Sequence, residues 1–258
     1  HGLHTEKNQS ATEIIYAVGS NLSHRNFDNL NLQNAVFDNV DLSNTSFKNA
    51  NIDGARFMFA NLDNSNLLDR IDLSNINLAG TDLSNVSLKG KNLSNTILTG
   101  ADLTGAILTG ADMSNAILNG VYMSGNDLTG TILTGADMSN AILNGVDLSG
   151  MDLTGTVFAN VDLSGKDLTG TILTGADMSN AILTGVDLSG MDLTGTILNG
   201  VDLSGMDLTG TILTGVDMSG MDLTWTILTG ADMSNAILNG VDLSGKDLTG
   251  TILTGADM

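Results

Sequence analysis

Apolar residues recur at every fifth place along most of this chain. From Leu73 to Met258, places 73, 78, 83 and onward hold Leu or Met, with Phe158 the one departure. Two places before each such centre stands a small or apolar residue, usually Ala, Val, Thr, Ile or Met. The place just before the centre is commonly Asp, Asn or Ile; Ser or Thr follows the centre, then Gly or Asn. An earlier tract has the same grammar in another phase, with centres Leu22, Phe27, Leu32, Phe37, Leu42, Phe47, Ile52, Phe57, Leu62 and Leu67. One extra residue within 68–70 resets the count, which predicts a bulge or loose corner there.

Pieces such as Ala50-Asn51-Ile52, Ala60-Asn61-Leu62, Ala101-Asp102-Leu103 and Ala231-Asp232-Met233 resemble the signature A(D/N)LXX of the pentapeptide repeat family. The resemblance covers about residues 20–258. It implies an all-β fold, a right-handed quadrilateral β-solenoid with one pentapeptide per side and 20 residues per coil. The centre and the residue two before it would point inward. Two spacings in the chain agree: Phe27 and Phe47 lie 20 apart, as do Phe37 and Phe57, and blocks opening TILTG restart at 131, 171 and 211.

At a strand spacing of about 4.8 Å, about 12 coils would make a rod of roughly 57 Å. Burying a Leu centre gains about 1.5–3 kcal/mol, while ordering each backbone residue costs about 1–2 kcal/mol. The second inward residue and the hydrogen-bond ladder are therefore needed too, and stability is cooperative between neighbouring coils. Residues 1–19 stand apart as an N-terminal segment. Within it "ATEIIYAV" at 11–18 lacks the rhythm and predicts a short helical or irregular cap over the first exposed edge.

Composition sharpens this picture. Nine aromatic residues among 258, with 31 Gly and no Pro or Cys, suit a uniform repeat better than one central core. The missing Cys excludes disulfides and thiolate metal sites. No apolar run approaches the roughly 18 residues of a membrane span. Net charge is −20, and seven of the nine basic residues (Lys7, Arg25, Lys48, Arg56, Arg70, Lys89, Lys91) precede residue 92. Beyond it 19 Asp face Lys166 and Lys246 alone. That half repels nucleic acid and anionic membranes and attracts cations or basic partners.

Candidate chemistry is sparse. His1, His4 and His24 lie near the N-terminus; His1 and His4 read as a frayed end before they read as a metal-binding tail. No nucleophile–His pair, distinctive carboxylate pair or phosphate loop is visible, so no enzyme is expected. Asp127, Asp147, Asp167, Asp187 and Asp207 fall on one column. They form either a ladder for Ca²⁺ or a solvated acidic stripe, the second being preferred.

Ile132, Val157, Ile172, Ile197, Ile212, Ile237 and Ile252 precede centres on two adjacent sides in alternate coils; such outward stripes read either as a contact surface or as strand formers on a pleated face, the first being preferred. Trp225 replaces a corner Gly and adds a candidate anchor. Lys166, Lys246 and Asn126 take the inward place, and the Lys stems are expected to bend their ammonium groups out to water.

The leading functional reading is a non-catalytic structural rod, a segment of a surface or extracellular fibre assembling end-to-end or laterally. Its partners are further copies or another protein, with no direct nucleic acid, no cofactor and an extracellular location favoured over a cytoplasmic one. The alternative is an acidic imitation of duplex DNA. Some pentapeptide repeat proteins bind DNA gyrase in this way, and residues 92–258 carry about one charge per 2.4 Å against one per about 1.7 Å in the duplex. Ice binding through Thr-rich sides ranks last, because the Thr residues do not keep to one side.

Overall fold

Each piece ends in a tight turn that its own residues specify. The N–H three places after a centre donates to the centre's carbonyl, as from Ala176 to Leu173 and from Thr171 to Leu168, at 2.9 and 3.0 Å. Such a turn takes left-handed backbone at its third residue, where Gly is free and Asn tolerated. Gly175 (φ +67°) and Asn180 (φ +56°) occupy that place. Turning in this way every five residues, the chain winds as a right-handed four-sided β-helix. The computed structural model describes residues 4–7 and 13–258, in two units, His1–Ile132 and Leu133–Met258.

In the first unit, β1 (His4–Lys7) pairs antiparallel with β2 (Glu13–Tyr16). Tyr16 also bridges in parallel to Val36, so the hairpin leads directly into a coil wall. This corrects the helical cap expected over 11–18: from Glu13 to Tyr16 the chain is strand, and residues 11 and 12 lie outside the described residues. Ile15 and Tyr16 are β-branched and aromatic, which suits a ladder, and the neighbouring coil edge offers unpaired groups to bind.

Parallel bridges then join residues 20 apart, such as Asn21 with Asp41 and Asn31 with Asn51. Phe27 stacks on Phe47 at 4.9 Å between ring centroids, and Phe37 on Phe57 at 5.3 Å. Between these stacks the rings meet edge to face, a favoured arrangement for aromatic pairs. At Asn66–Asp69 a short 3-10 helix, capped by Ser65, takes up an extra residue, and Arg56 bridges to Asn77 rather than to residue 76. The Arg70 guanidinium closes this bulge by donating to the carbonyls of Phe47 and Ala50 at 3.2 and 2.9 Å.

In Leu133–Met258 the centres line the interior; Leu143, Leu163 and Leu183 are each at most 2% exposed. The residue two before each centre is also inward, and its identity decides how tightly a side is joined to the coil before it. Where it is Ala or Thr, two strand-type bonds form. Thus Ile172 donates to Met151 O at 2.9 Å while Leu153 donates to Ile172 O at 2.8 Å. Likewise Asp177 donates to Thr156 O and Phe158 to Asp177 O. Where it is Val, Met or Lys, neither bond forms in this unit: Asp162, Asp167, Asp187, Asp192, Asp202, Asp207, Asp217, Asp222, Asp242 and Asp247 are unpaired in this sense.

Met and Lys overfill a narrow interior and hold their wall away from the preceding coil, while Val matches Thr in size but lacks the hydroxyl that ties Thr to that coil. Pieces built on Met or Lys keep one corner bond, such as Gly150 N–H to Thr169 O at 2.8 Å, whereas the VDLSG pieces lack even that. The first unit does not follow this exclusion, since Val40 and Val121 sit inward there with both bonds intact.

Inward polar residues mostly share one task; the Thr196 hydroxyl instead donates to Leu193 O three places back. Thr156, Thr171, Thr211 and Thr226 donate Oγ1 to the centre carbonyl 23 residues earlier, at 2.8–3.1 Å. Asn126 does the same toward Leu103 O. Lys166 donates Nζ to Leu143 O and Val146 O at 2.6 and 2.8 Å, and Lys246 donates to Leu223 O and Thr226 O. This corrects the expectation that the Lys ammonium groups reach outward for water. Carbonyls of the coil before lie nearer than solvent and accept them. Burial holds the Lys166 pKa below the ordinary lysine value, while the Asp162 and Asp147 charges act against that shift.

Because Leu163 is an interior centre and Thr184 is exposed, Leu163→Ala should lower unfolding free energy by about 2–5 kcal/mol. Thr184→Ala should stay within about 0.5 kcal/mol. Denaturant unfolding monitored by circular dichroism checks both.

Candidate interaction faces

The outward place before each centre writes a different pattern on each side of Leu133–Met258. On the first side Asp152, Ile172, Asp192, Ile212, Asp232 and Ile252 follow one another at 20-residue steps. The second side reads Asp137, Val157, Asp177, Ile197, Asp217, Ile237, Asp257. Most steps on these two sides are bridged, as between Asp152 and Ile172 and between Asp177 and Ile197. The third side reads Ile142, Asp162, Ile182, Asp202, Asp222, Asp242, and the fourth Asp147, Asp167, Asp187, Asp207, Ile227, Asp247. Few of their steps are bridged; Asp162 to Ile182 and Asp207 to Ile227 are. Two adjacent sides are thus zipped and two largely open.

Ile and Asp do different work at this place. An Asp carboxylate turns to its own corner, accepting the backbone N–H two residues on and often the hydroxyl as well. Thr154 contributes both to Asp152 Oδ1, at 3.0 and 2.6 Å. Asx turns of this type steady a corner locally. Isoleucine has no such bond and instead presents a β-branched surface beside a closed ladder. Ile132, Ile172, Ile197, Ile212 and Ile252 are exposed, Ile172 to 49%, whereas Val157 and Ile237 are half-buried.

Sequence reasoning followed two sides only and missed Ile142, Ile182 and Ile227 in this unit, and Ile107, Ile117 and Tyr122 in the first, all exposed. The same place-before-centre rule applied to all four sides would have found them. Trp225 is 84% exposed.

The carboxylate column divides between the units. Asp127 lies in the first, and Asp147, Asp167, Asp187 and Asp207 are consecutive on the fourth side of the second. The Asp147 carboxyl is held below its ordinary value of 3.8 chiefly by the Ser149 backbone N–H, with the Asp167 charge acting in the opposite direction. Asp127 and Asp167 are lowered chiefly by the Thr129 and Thr169 hydroxyls, and Asp187 by Ser189. Among the described residues no three His, Cys, Asp or Glu side chains gather as a metal ion requires. Each carboxylate of the column considered for Ca²⁺ accepts from its own corner. A metal-binding tail of His1 and His4 lies outside the described side chains. Among the described residues no helix is long and apolar enough to cross a membrane.

A family model described as "Pentapeptide repeats (8 copies)" matches overlapping stretches from residue 18 to residue 255. Comparison with curated proteins gives no match. Among solved structures, full-length QnrB1, a plasmid-mediated fluoroquinolone resistance protein, is 22% identical over 69% of this chain and 91% of its own, with a TM-score of 0.45. HetL of the cyanobacterium Nostoc sp. strain PCC 7120, a pentapeptide repeat protein involved in heterocyst differentiation regulation, is 25% identical over 94% of this chain and 87% of its own, TM-score 0.21. Rfr23 of the cyanobacterium Cyanothece 51142 is 23% identical over 50% and 91%, TM-score 0.29.

Since corner hydrogen bonds hold many carboxyls below 3.8, the charged form is the one bonded in the folded chain. Their contribution is complete above the unfolded pKa and lost as pH falls through the lowered folded values. The melting temperature should therefore hold from about pH 8 to pH 5 and fall below about pH 4, as a calorimetric pH series would register.

Proposed function

This chain belongs to the pentapeptide repeat family, and on that premise we propose that it is a non-catalytic scaffold that associates laterally with further copies, as a segment of a surface or extracellular fibre. The family is one of generally non-catalytic structural or interaction proteins, and this reading calls for no catalytic residue and no cofactor. One observation carries it: the two zipped sides alternate β-branched residues with Asp at successive coils, and Ile172, Ile197, Ile212 and Ile252 among them are exposed. Burying such Ile rows between copies gains roughly 25 cal/mol per Å² of apolar area. The intervening Asp residues, engaged in their own corners, keep spacing between rows and discourage non-specific collapse. Backbone hydrogen bonding is fullest on these sides, so the surface offered is also the most rigid.

A second reading, an acidic imitation of duplex DNA, draws on the uninterrupted run of Asp147, Asp167, Asp187 and Asp207 on the fourth side. It is the weaker of the two, because Ile or Val breaks the acidic rows on the other three sides.

Sedimentation velocity over a concentration series should show the parent chain associating. A variant carrying Ile172→Asp and Ile212→Asp, both exposed and on one side, should sediment as a single small species with an unchanged circular dichroism spectrum. A parent that stays monodisperse at high concentration would remove the scaffold reading.

A further inference from the structure

The most exposed large apolar side chain in the described residues stands at an open stretch of wall. Residues 241–245, a VDLSG piece, make no backbone hydrogen bond to the coil before them. As a result the N–H groups of Leu223, Trp225 and Leu228 on one wall, and of Asp242 and Asp247 on the other, have no acceptor among the described residues. Between them opens a cleft lined by residues of 221–229 and 240–247, with Trp225 at its corner.

Trp225 is out of keeping with its column. Gly205 and Gly245 hold the same corner one coil away on either side, and Trp225 adopts their left-handed backbone at φ +61°. Phe59 is the other aromatic at such a corner, and its ring lies against Gly80 in the next coil: a Cβ on Gly80 would fall 2.0 Å from Phe59 Cε1. The Trp225 ring makes no such staple, since a Cβ on Gly245 would meet nothing within 4 Å. It is held out in a conformation that disfavours any side chain, without the packing that rewards Phe59.

The surrounding charges indicate what would bind. Asp222, Asp242 and Asp247 are exposed at the cleft, and hydroxyl and backbone donors from Thr224, Ser244 and Thr249 hold their carboxyls below the ordinary value. The one cation nearby, Lys246, turns its ammonium to the carbonyls of Leu223 and Thr226; its charge helps to lower the Asp222 and Asp242 carboxyls, and three carboxylates against one ammonium leave the rim negative. The matching walls of a second copy carry the same carboxylates and are poor occupants of this rim, and the carboxylates repel a nucleic acid strand. Unpaired main-chain donors and acceptors, an aromatic face and a carboxylate rim together match an extended basic peptide.

We propose that this cleft docks an extended Arg- or Lys-bearing segment of a partner protein. The segment's main chain pairs with the open wall as an added strand. A guanidinium or ammonium group rests on the Trp225 face and meets the Asp222, Asp242 and Asp247 carboxylates. This site differs in place and partner from the zipped sides that carry lateral association, and one stands without the other.

Trp225 is the only tryptophan of the chain, so its fluorescence reports the site directly. Titrating the full chain with a synthetic peptide alternating Arg and Thr should give a saturable change that weakens as salt is raised. A peptide alternating Glu and Thr should give none. The decisive variant is Val241→Thr with Asp242→Ile, which copies the Thr-Ile pair found in the closed pieces and should zip the wall while leaving Trp225 in place. It should melt no lower than the parent and bind the Arg-Thr peptide at least tenfold more weakly. Calorimetry on Trp225→Gly, which restores the residue of the neighbouring coils, should show a comparable loss. No fluorescence response in the parent would overturn the proposal, as would undiminished binding by the zipped variant.

Discussion

A four-sided coil of this width has room for two inward side chains per pentapeptide, and the second of them sets how closely successive coils approach. A Leu or Met centre is nearly constant and so carries little information beyond the fold itself. The residue two before it varies, and in Leu133–Met258 that variation decides the pairing of the wall: Ala or Thr closes it, and Val, Met or Lys opens it. Threonine adds a hydroxyl bond to the coil before it, so it both fits and ties. Met and Lys over-fill the interior and displace backbone, Val lacks the tying hydroxyl, and both appear as lost hydrogen bonds on that side alone.

Function follows from that division. The zipped sides combine mostly closed ladders with β-branched Ile, which gives a firm surface suited to packing against another molecule. The open sides combine unpaired backbone with carboxylates, which gives solvated clefts suited to an extended, positively charged chain. A uniform repeat thus acquires two unlike faces through its inward residues. Lys166 and Lys246 fit the same scheme. They fill the inward place on the open fourth side and satisfy carbonyls that Thr satisfies elsewhere.

Much of this fold was legible in the sequence because inward centres tolerate few residue types and recur without interruption. Phe27 with Phe47, and Phe37 with Phe57, announced the coil length before any coordinates did, and they stack. The hairpin strand Glu13–Tyr16 was not legible: a short apolar run gives no periodicity that separates helix from strand, and pairing with β1 and Val36 settles it. The inward ammonium groups were missed because their acceptors lie 23 residues back, on the preceding coil. Open and closed walls were missed for a related reason. Val and Thr are similar in size and both favour strands, so their opposite effects emerge only where neighbouring coils meet. Of the candidate surface, Ile172 and Trp225 were visible as departures from the repeat, while Ile182 and Ile227 needed all four sides to be compared.

Amide hydrogen exchange resolved to single residues tests the link between inward side-chain identity and wall closure most directly. Exchange reports local opening wherever a ladder bond is weak or missing. The amides of Ile172, Asp177, Ile182 and Ile197, which follow Thr or Ala, should be protected at least about tenfold more than those of Asp167, Asp187, Asp202 and Asp207, which follow Lys, Val or Met. Equal protection in the two sets would mean that all four walls are alike and would contradict the account.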